Sequence, residues 1–139
     1  MGQMAPVVSR IDDPLKLRDL LGRAANLARR HELTSVVVGM AAPEGDLVFP
    51  EMLDFVESAL RVDDVVFRMT RERAVLLLAD VDAARAREVV ERLLSDFRAR
   101  FAVAREPELR LGYFEVGPGS GDLTVKDVLP ALFCPEQAN

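Results

Sequence analysis

RVDDVVFRMTRERAVLLL, residues 61 to 78, decides the fold. Val65 to Met69 and Ala74 to Ala79 are short apolar runs rich in β-branched and aliphatic side chains, and the four residues between them, Thr70-Arg71-Glu72-Arg73, are polar. Two strand-like runs with so short a connection fold back on each other, so the stretch reads as an antiparallel hairpin.

The flanks give the hairpin its setting. Upstream, Ser35 to Met40 (SVVVGM) is short, β-branched and almost wholly apolar, the signature of a central strand. After a polar turn, Phe49, Leu53, Val56 and Leu60 share one face of a helix. Downstream, Asp82 caps a long helix that turns Ala86, Val89, Val90, Leu93, Leu94 and Phe97 inward, and Leu109 to Val116 forms a last strand. The order is β-α-β-β-α-β, the ferredoxin-like α+β arrangement of a four-stranded sheet with helices packed across it. Two helices lie outside that core. Asp13-Pro14 opens an N-terminal one, with Leu17, Leu20, Leu21, Ala24, Leu27 and Ala28 at helical spacing up to His31, and Thr124 to Phe133 closes the chain. Residues 11–133 form one domain, with 1–10 a flexible N-terminus and 134–139 a tail.

Composition narrows the function. A chain of 139 residues, half of them apolar, is a single globular domain. Its net charge of −5 argues against a general nucleic-acid binder, which needs a basic field to neutralise phosphates. No run approaches the roughly 20 apolar residues of a membrane span, and no secretory signal is visible at the N-terminus, so the expected address is the cytoplasm. One Cys (Cys134) and one His (His31) cannot build a disulfide framework or a Cys- or His-based metal site. Cys134 reads as a free thiol and His31 as a helix-end residue. The loop Gly117 to Asp122 has the glycines of a phosphate cradle without the ending or spacing of one, and reads as a connection.

The hairpin and its approach resemble the GGDEF domain, the fold that condenses two GTP molecules into cyclic di-GMP. Arg61 and Asp64 match the family's R-x-x-D, and Val65 to Met69 keep the five-residue spacing to its signature. Gly45-Asp46 and the helix after it match the segment leading to R-x-x-D. Weaker echoes are Asp13-Pro14-Leu15 at the family's opening, Gly112 in its last strand and Ala131-Leu132-Phe133 near its end. The signature itself has become Thr70-Arg71-Glu72-Arg73-Ala74. Where the family places its first metal-binding carboxylate, this chain has Gly39-Met40-Ala41, and the guanine-contacting segment that follows is missing, with only Ala42 to Glu44 separating the strand from Gly45. Glu72 alone keeps an acid at its signature position. One carboxylate cannot hold two hard cations in octahedral oxygen coordination, so the expectation is a degenerate, non-catalytic domain of bacterial signalling with no cofactor, metal or catalytic residue.

Two recognition roles follow. In the family, R-x-x-D also binds the product, which makes Arg61 and Asp64, with Asp63 nearby, a candidate cyclic di-GMP site: a guanidinium can pair with phosphate and a carboxylate with a guanine edge. The competing reading is a helix-end arginine beside a turn-closing aspartate. Arg68, Arg71 and Arg73 cluster in sequence around the altered turn, and could dock an acidic protein partner or stand solvated, discouraging edge pairing. Flanking helices often mediate dimers in the family, so an apolar face of the first helix could pair two copies. An enzyme with a relocated active site is the competing class, and no nucleophile with its base or paired carboxylates supports it.

Overall fold

Every residue from Ser35 to Met40 is buried. A strand closed to water on both sides needs a helical layer over each face, and the chain supplies both. The computed structural model describes residues 11–101 and 108–133, and the expectations for residues 1–10, for Cys134 and for the 134–139 tail lie outside the described residues. In chain order the elements are α1 (Pro14–His31), β1 (Ser35–Ala41), α2 (Phe49–Ala59), β2 (Val65–Thr70), β3 (Arg73–Leu78), α3 (Ala83–Arg100), β4 (Arg110–Val116) and α4 (Val125–Phe133). The strands lie in the order β2-β3-β1-β4, every neighbouring pair antiparallel. This is the ferredoxin-like α+β sheet that the sequence predicts, and the strand limits agree with the expected ones to within one residue.

The two-residue period of the strands sorts the core into two layers. Val36, Val38, Met40, Val66, Ala74, Leu76 and Leu78 meet Phe49, Met52, Leu53 and Val56 of α2 and Ala86, Val90, Leu93 and Phe97 of α3. On the opposite face Val37, Phe67, Val75, Leu77 and Val116 meet Leu17, Leu20, Leu21, Ala24 and Ala28 of α1 and Val128 and Leu132 of α4. The helices outside the β-α-β-β-α-β core are therefore the second layer of the same domain.

Local chemistry sets the helix ends. Asp13 accepts from the Leu15 N–H at 2.9 Å ahead of Pro14, and Asp82 accepts from the Arg85 N–H at 2.8 Å. Asp46 accepts from the N–H groups of Val48 and Phe49 at 2.7 and 3.3 Å, opening α2. At the far end of α1 the chain leaves through Glu32 in a left-handed conformation, φ 53°.

Two glycines seat α4. Gly39 and Gly112 are register partners on neighbouring strands. A Cβ on Gly112 would stand 2.1 Å from the Leu132 carbonyl oxygen, and one on Gly39 would stand 2.7 Å from the Leu132 Cβ. Helix and sheet approach this closely only where side chains are missing. Gly112→Ala should push α4 off the sheet and lower the unfolding free energy by about 1–3 kcal/mol. Gly22→Ala, mid-helix in α1 with nothing within 4 Å of the new methyl, should raise it by about 0.5–1 kcal/mol. Urea midpoints at constant slope measure both.

Candidate functional site

With the central strands dry, polar chemistry collects at the two ends of the β2–β3 hairpin, roughly 20 Å apart at the strand rise per residue. At the end where β2 begins, Asp64 is almost wholly buried, at 4% exposure, while Arg61 is 58% exposed. The Asp64 carboxylate accepts from the backbone N–H of Ala79 at 2.9 Å and of Arg61 at 3.2 Å. Arg61 pairs with it at 3.4 Å and also donates to the Ala79 carbonyl. The R-x-x-D pair is thus brought together as expected, and its aspartate closes the entry to β2 against the exit from β3. Asp63 turns away, exposed, to Arg23 of α1 at 3.2 Å.

A cleft of about 120 Å³ opens beside this pair. Arg61, Asp64, Arg85 and Arg92 line it, over an apolar floor of Leu78, Val89 and Leu93. Arg85 and Arg92 are two helical turns apart on α3, which places them on one face. Their seven-residue spacing is the sequence signal for this pairing, and it is interleaved with the apolar stripe that packs α3 against the sheet.

At the other end the chain turns through Arg71 and Glu72, between the paired residues Thr70 and Arg73. Neither turn residue has a positive φ. Two-residue hairpin loops favour left-handed residues because their twist suits the strands, and glycine normally supplies them. Lacking glycine, this hairpin takes up the mismatch in a register shift between Arg68 and Thr70. Glu72 holds the loop between β1 and α2: its carboxylate accepts from the Gly45 N–H at 3.3 Å and its carbonyl accepts from the Ala42 N–H at 2.8 Å.

Arg68 does not join Arg71 and Arg73, contrary to the sequence expectation. It shares strand parity with Val66, so its side chain enters the layer of α2 and α3, where it is only 4% exposed. There it donates to Asp54 at 2.9 Å and Glu57 at 3.1 Å, both on α2, while its Nε has no partner. Its backbone pairs with Asp12, which caps the outer edge of β2. Arg71 and Arg73 are exposed, and the Arg73 guanidinium lies 5.2 Å from the centre of the Phe133 ring on α4.

His31 is exposed as the last residue of α1. The Gly117–Asp122 loop closes on itself, Ser120 accepting from the Gly117 N–H at 2.9 Å. Burial pushes the Tyr113 phenol on β4 up; Arg87 over its ring opposes this and Glu91 adds to it. Among the described residues no three His, Cys, Asp or Glu side chains converge as metal ligands, and no helix is long and apolar enough to cross a membrane.

No protein-family model matches the chain, and no curated protein matches it. Solved structures do. The GGDEF domain of FimX from Pseudomonas aeruginosa superposes with a TM-score of 0.71 at 13% identity, over 99% of this chain and 94% of that one. The diguanylate cyclase SiaD from Pseudomonas aeruginosa, solved in complex with its activator SiaC, gives 0.66 at 23% identity over 94% of this chain and 60% of that one. PelD from the same organism gives 0.65 at 23% identity over 83% and 42%, and a further PelD structure is a complex with cyclic di-GMP. This chain spans less than two thirds of the SiaD and PelD chains. At these identities the likeness shows the fold, and the fold is that of GGDEF domains.

Asp64→Ala strips an acceptor from two backbone N–H groups, one of them just past the end of β3, and should cost about 1–3 kcal/mol of stability. Asp63→Ala, which breaks an exposed ion pair, should stay within about 0.5 kcal/mol. Arg68→Met removes a buried guanidinium with an unsatisfied Nε and leaves its acidic partners facing water, so it should fall within about 1 kcal/mol of the parent. Chemical denaturation of the three variants checks the set.

Proposed function

We propose that this GGDEF fold is a non-catalytic protein of bacterial cytoplasmic signalling that acts by binding a protein partner. The observation that carries the reading is the position of Glu72. The one acid kept from the family's signature directs its carboxylate to the Gly45 N–H, where it serves as a strut between turn and loop. The fold implies a divalent cation held beside a nucleoside triphosphate, and the residues present do not fit that pair. The end of β1 offers Met40, which is buried, and Ala41. Thr70 and Arg71 put side chains where backbone N–H groups would need to approach phosphate. SiaD, which shares the fold, was solved with a protein activator, and this supports a protein as the class of partner. With GTP and Mg²⁺ or Mn²⁺ the chain should release no pyrophosphate above the no-protein rate; turnover that Glu72→Gln abolishes would overturn the reading.

A second reading rests on the cleft. Arg61, Arg85 and Arg92 offer guanidinium groups to a phosphodiester from two elements, over an apolar floor that suits a purine ring. PelD, another protein of this fold, was solved with cyclic di-GMP. Asp64 is committed to backbone N–H groups, so in this reading the arginines supply most of the recognition. Calorimetry with cyclic di-GMP should give saturable heat that Arg61→Ala combined with Arg92→Ala removes. No heat at high micromolar protein ends this reading and leaves the first intact.

A further inference from the structure

The register across β3, β1 and β4 brings together two arginines far apart in sequence. Ala41 at the end of β1 pairs with Arg73 on one side and with Arg110 on the other. Directly opposed residues in antiparallel strands share a face, so both side chains leave the sheet on the α1/α4 side, their Cα atoms about 9.5 Å apart. Between them lies an apolar floor. Ala41 is half-buried, and the Phe133 ring, over which Arg73 stacks, would touch a Cβ built on Gly39, the next residue of that face. Arg71 stands exposed at the rim.

These three cations have no ion pair among the described residues. Three of the acids bordering this end are engaged, while Glu44 and Glu108 stand exposed. Glu72 accepts from Gly45, Asp12 accepts from the Arg68 N–H and pairs with Lys16, and Asp13 caps α1. Like charges so placed repel unless something neutralises them.

We infer that Arg73 and Arg110, flanking the Ala41–Phe133 floor with Arg71 at its edge, form a docking surface for an acidic segment of a protein partner. An apolar side chain of that segment covers Phe133 while carboxylates on either side meet the two guanidinium groups, each able to bind in a bidentate fork. A net charge of −5 and only three clustered arginines suit a short acidic peptide better than a nucleic acid, which demands a longer basic track. This names a site and a chemistry for the partner-binding reading above and rests on it.

The test uses a fluorescein-labelled peptide carrying a leucine flanked by glutamates, titrated into the full chain and followed by anisotropy. Binding should weaken steadily as salt rises, and a peptide with glutamines in place of the glutamates should not bind. Arg73→Glu combined with Arg110→Glu should weaken binding about tenfold or more. Arg18→Glu combined with Arg30→Glu, the same charge change at exposed sites on α1, should leave it within about twofold. Circular dichroism establishes that each variant is folded, and Arg110→Ala alone, at an exposed edge position, serves if the double variant is not. Equal losses in the two double variants, no binding at low salt, or preference for phosphatidylglycerol vesicles or a single-stranded oligonucleotide over the glutamate peptide would each overturn the inference. GTP turnover is measured separately, so a failure here is distinct from a failure of the non-catalytic reading.

Discussion

A strand that is dry on both faces has room for polar side chains only at its ends, and β1 imposes that condition on the whole molecule. Its neighbour β3 is equally apolar beyond Arg73. With the middle of the sheet closed by α2 and α3 on one side and by α1 and α4 on the other, every group able to recognise a ligand is displaced to the ends of the β2–β3 hairpin or to outer helix faces. The two candidate sites lie where they do for this reason. The same condition accounts for Gly39 and Gly112, because a second helical layer on so short a sheet comes close enough to exclude a methyl group.

The central strand, the hairpin, the two core helices and their order were legible because each announces itself locally, by β-branched runs, a short polar turn, or a cap followed by a 3.6-residue stripe. So was the Arg61–Asp64 contact, which spans three residues. What escaped the sequence depends on partners far along the chain. Arg68 sits three positions from Arg71, and only strand parity separates them: counting by two from Val66 puts Arg68 in the layer of α2, where Asp54 and Glu57 wait at helical spacing. Strand parity carries that signal, against the closeness of Arg68, Arg71 and Arg73 along the chain. The meeting of Arg73 with Arg110 had no such signal. It depends on the register of β4 against β1, which no local pattern encodes.

The residues of the β2–β3 turn shape the structure around it. Glycines in a hairpin turn supply left-handed conformations and open backbone N–H groups. Without glycine, this hairpin turns through Arg71 and Glu72 in ordinary conformations, with a shifted register between Arg68 and Thr70. The Glu72 carboxylate accepts from the Gly45 N–H. Turn and loop are now tied together by Glu72 twice, through its side chain and its carbonyl.

Asp64 is committed in the same way at the other end. A carboxylate 4% exposed and shared between two backbone donors has little capacity left for a guest. The arginines differ from the acids here. Arg61 keeps more than half its surface in water, Arg85 and Arg92 line the cleft beside it, and Arg71, Arg73 and Arg110 stand exposed at the opposite end. The division is physical: a carboxylate accepts readily from neighbouring backbone N–H groups and is easily absorbed by a strand end or loop, whereas a long guanidinium side chain reaches past the backbone to solvent. A sheet whose end acids serve its own backbone, and whose arginines other than the buried Arg68 face outward, presents positive ends on a molecule of negative total charge. Anionic groups, whether on a nucleotide or on a protein surface, are the chemistry such ends are suited to meet.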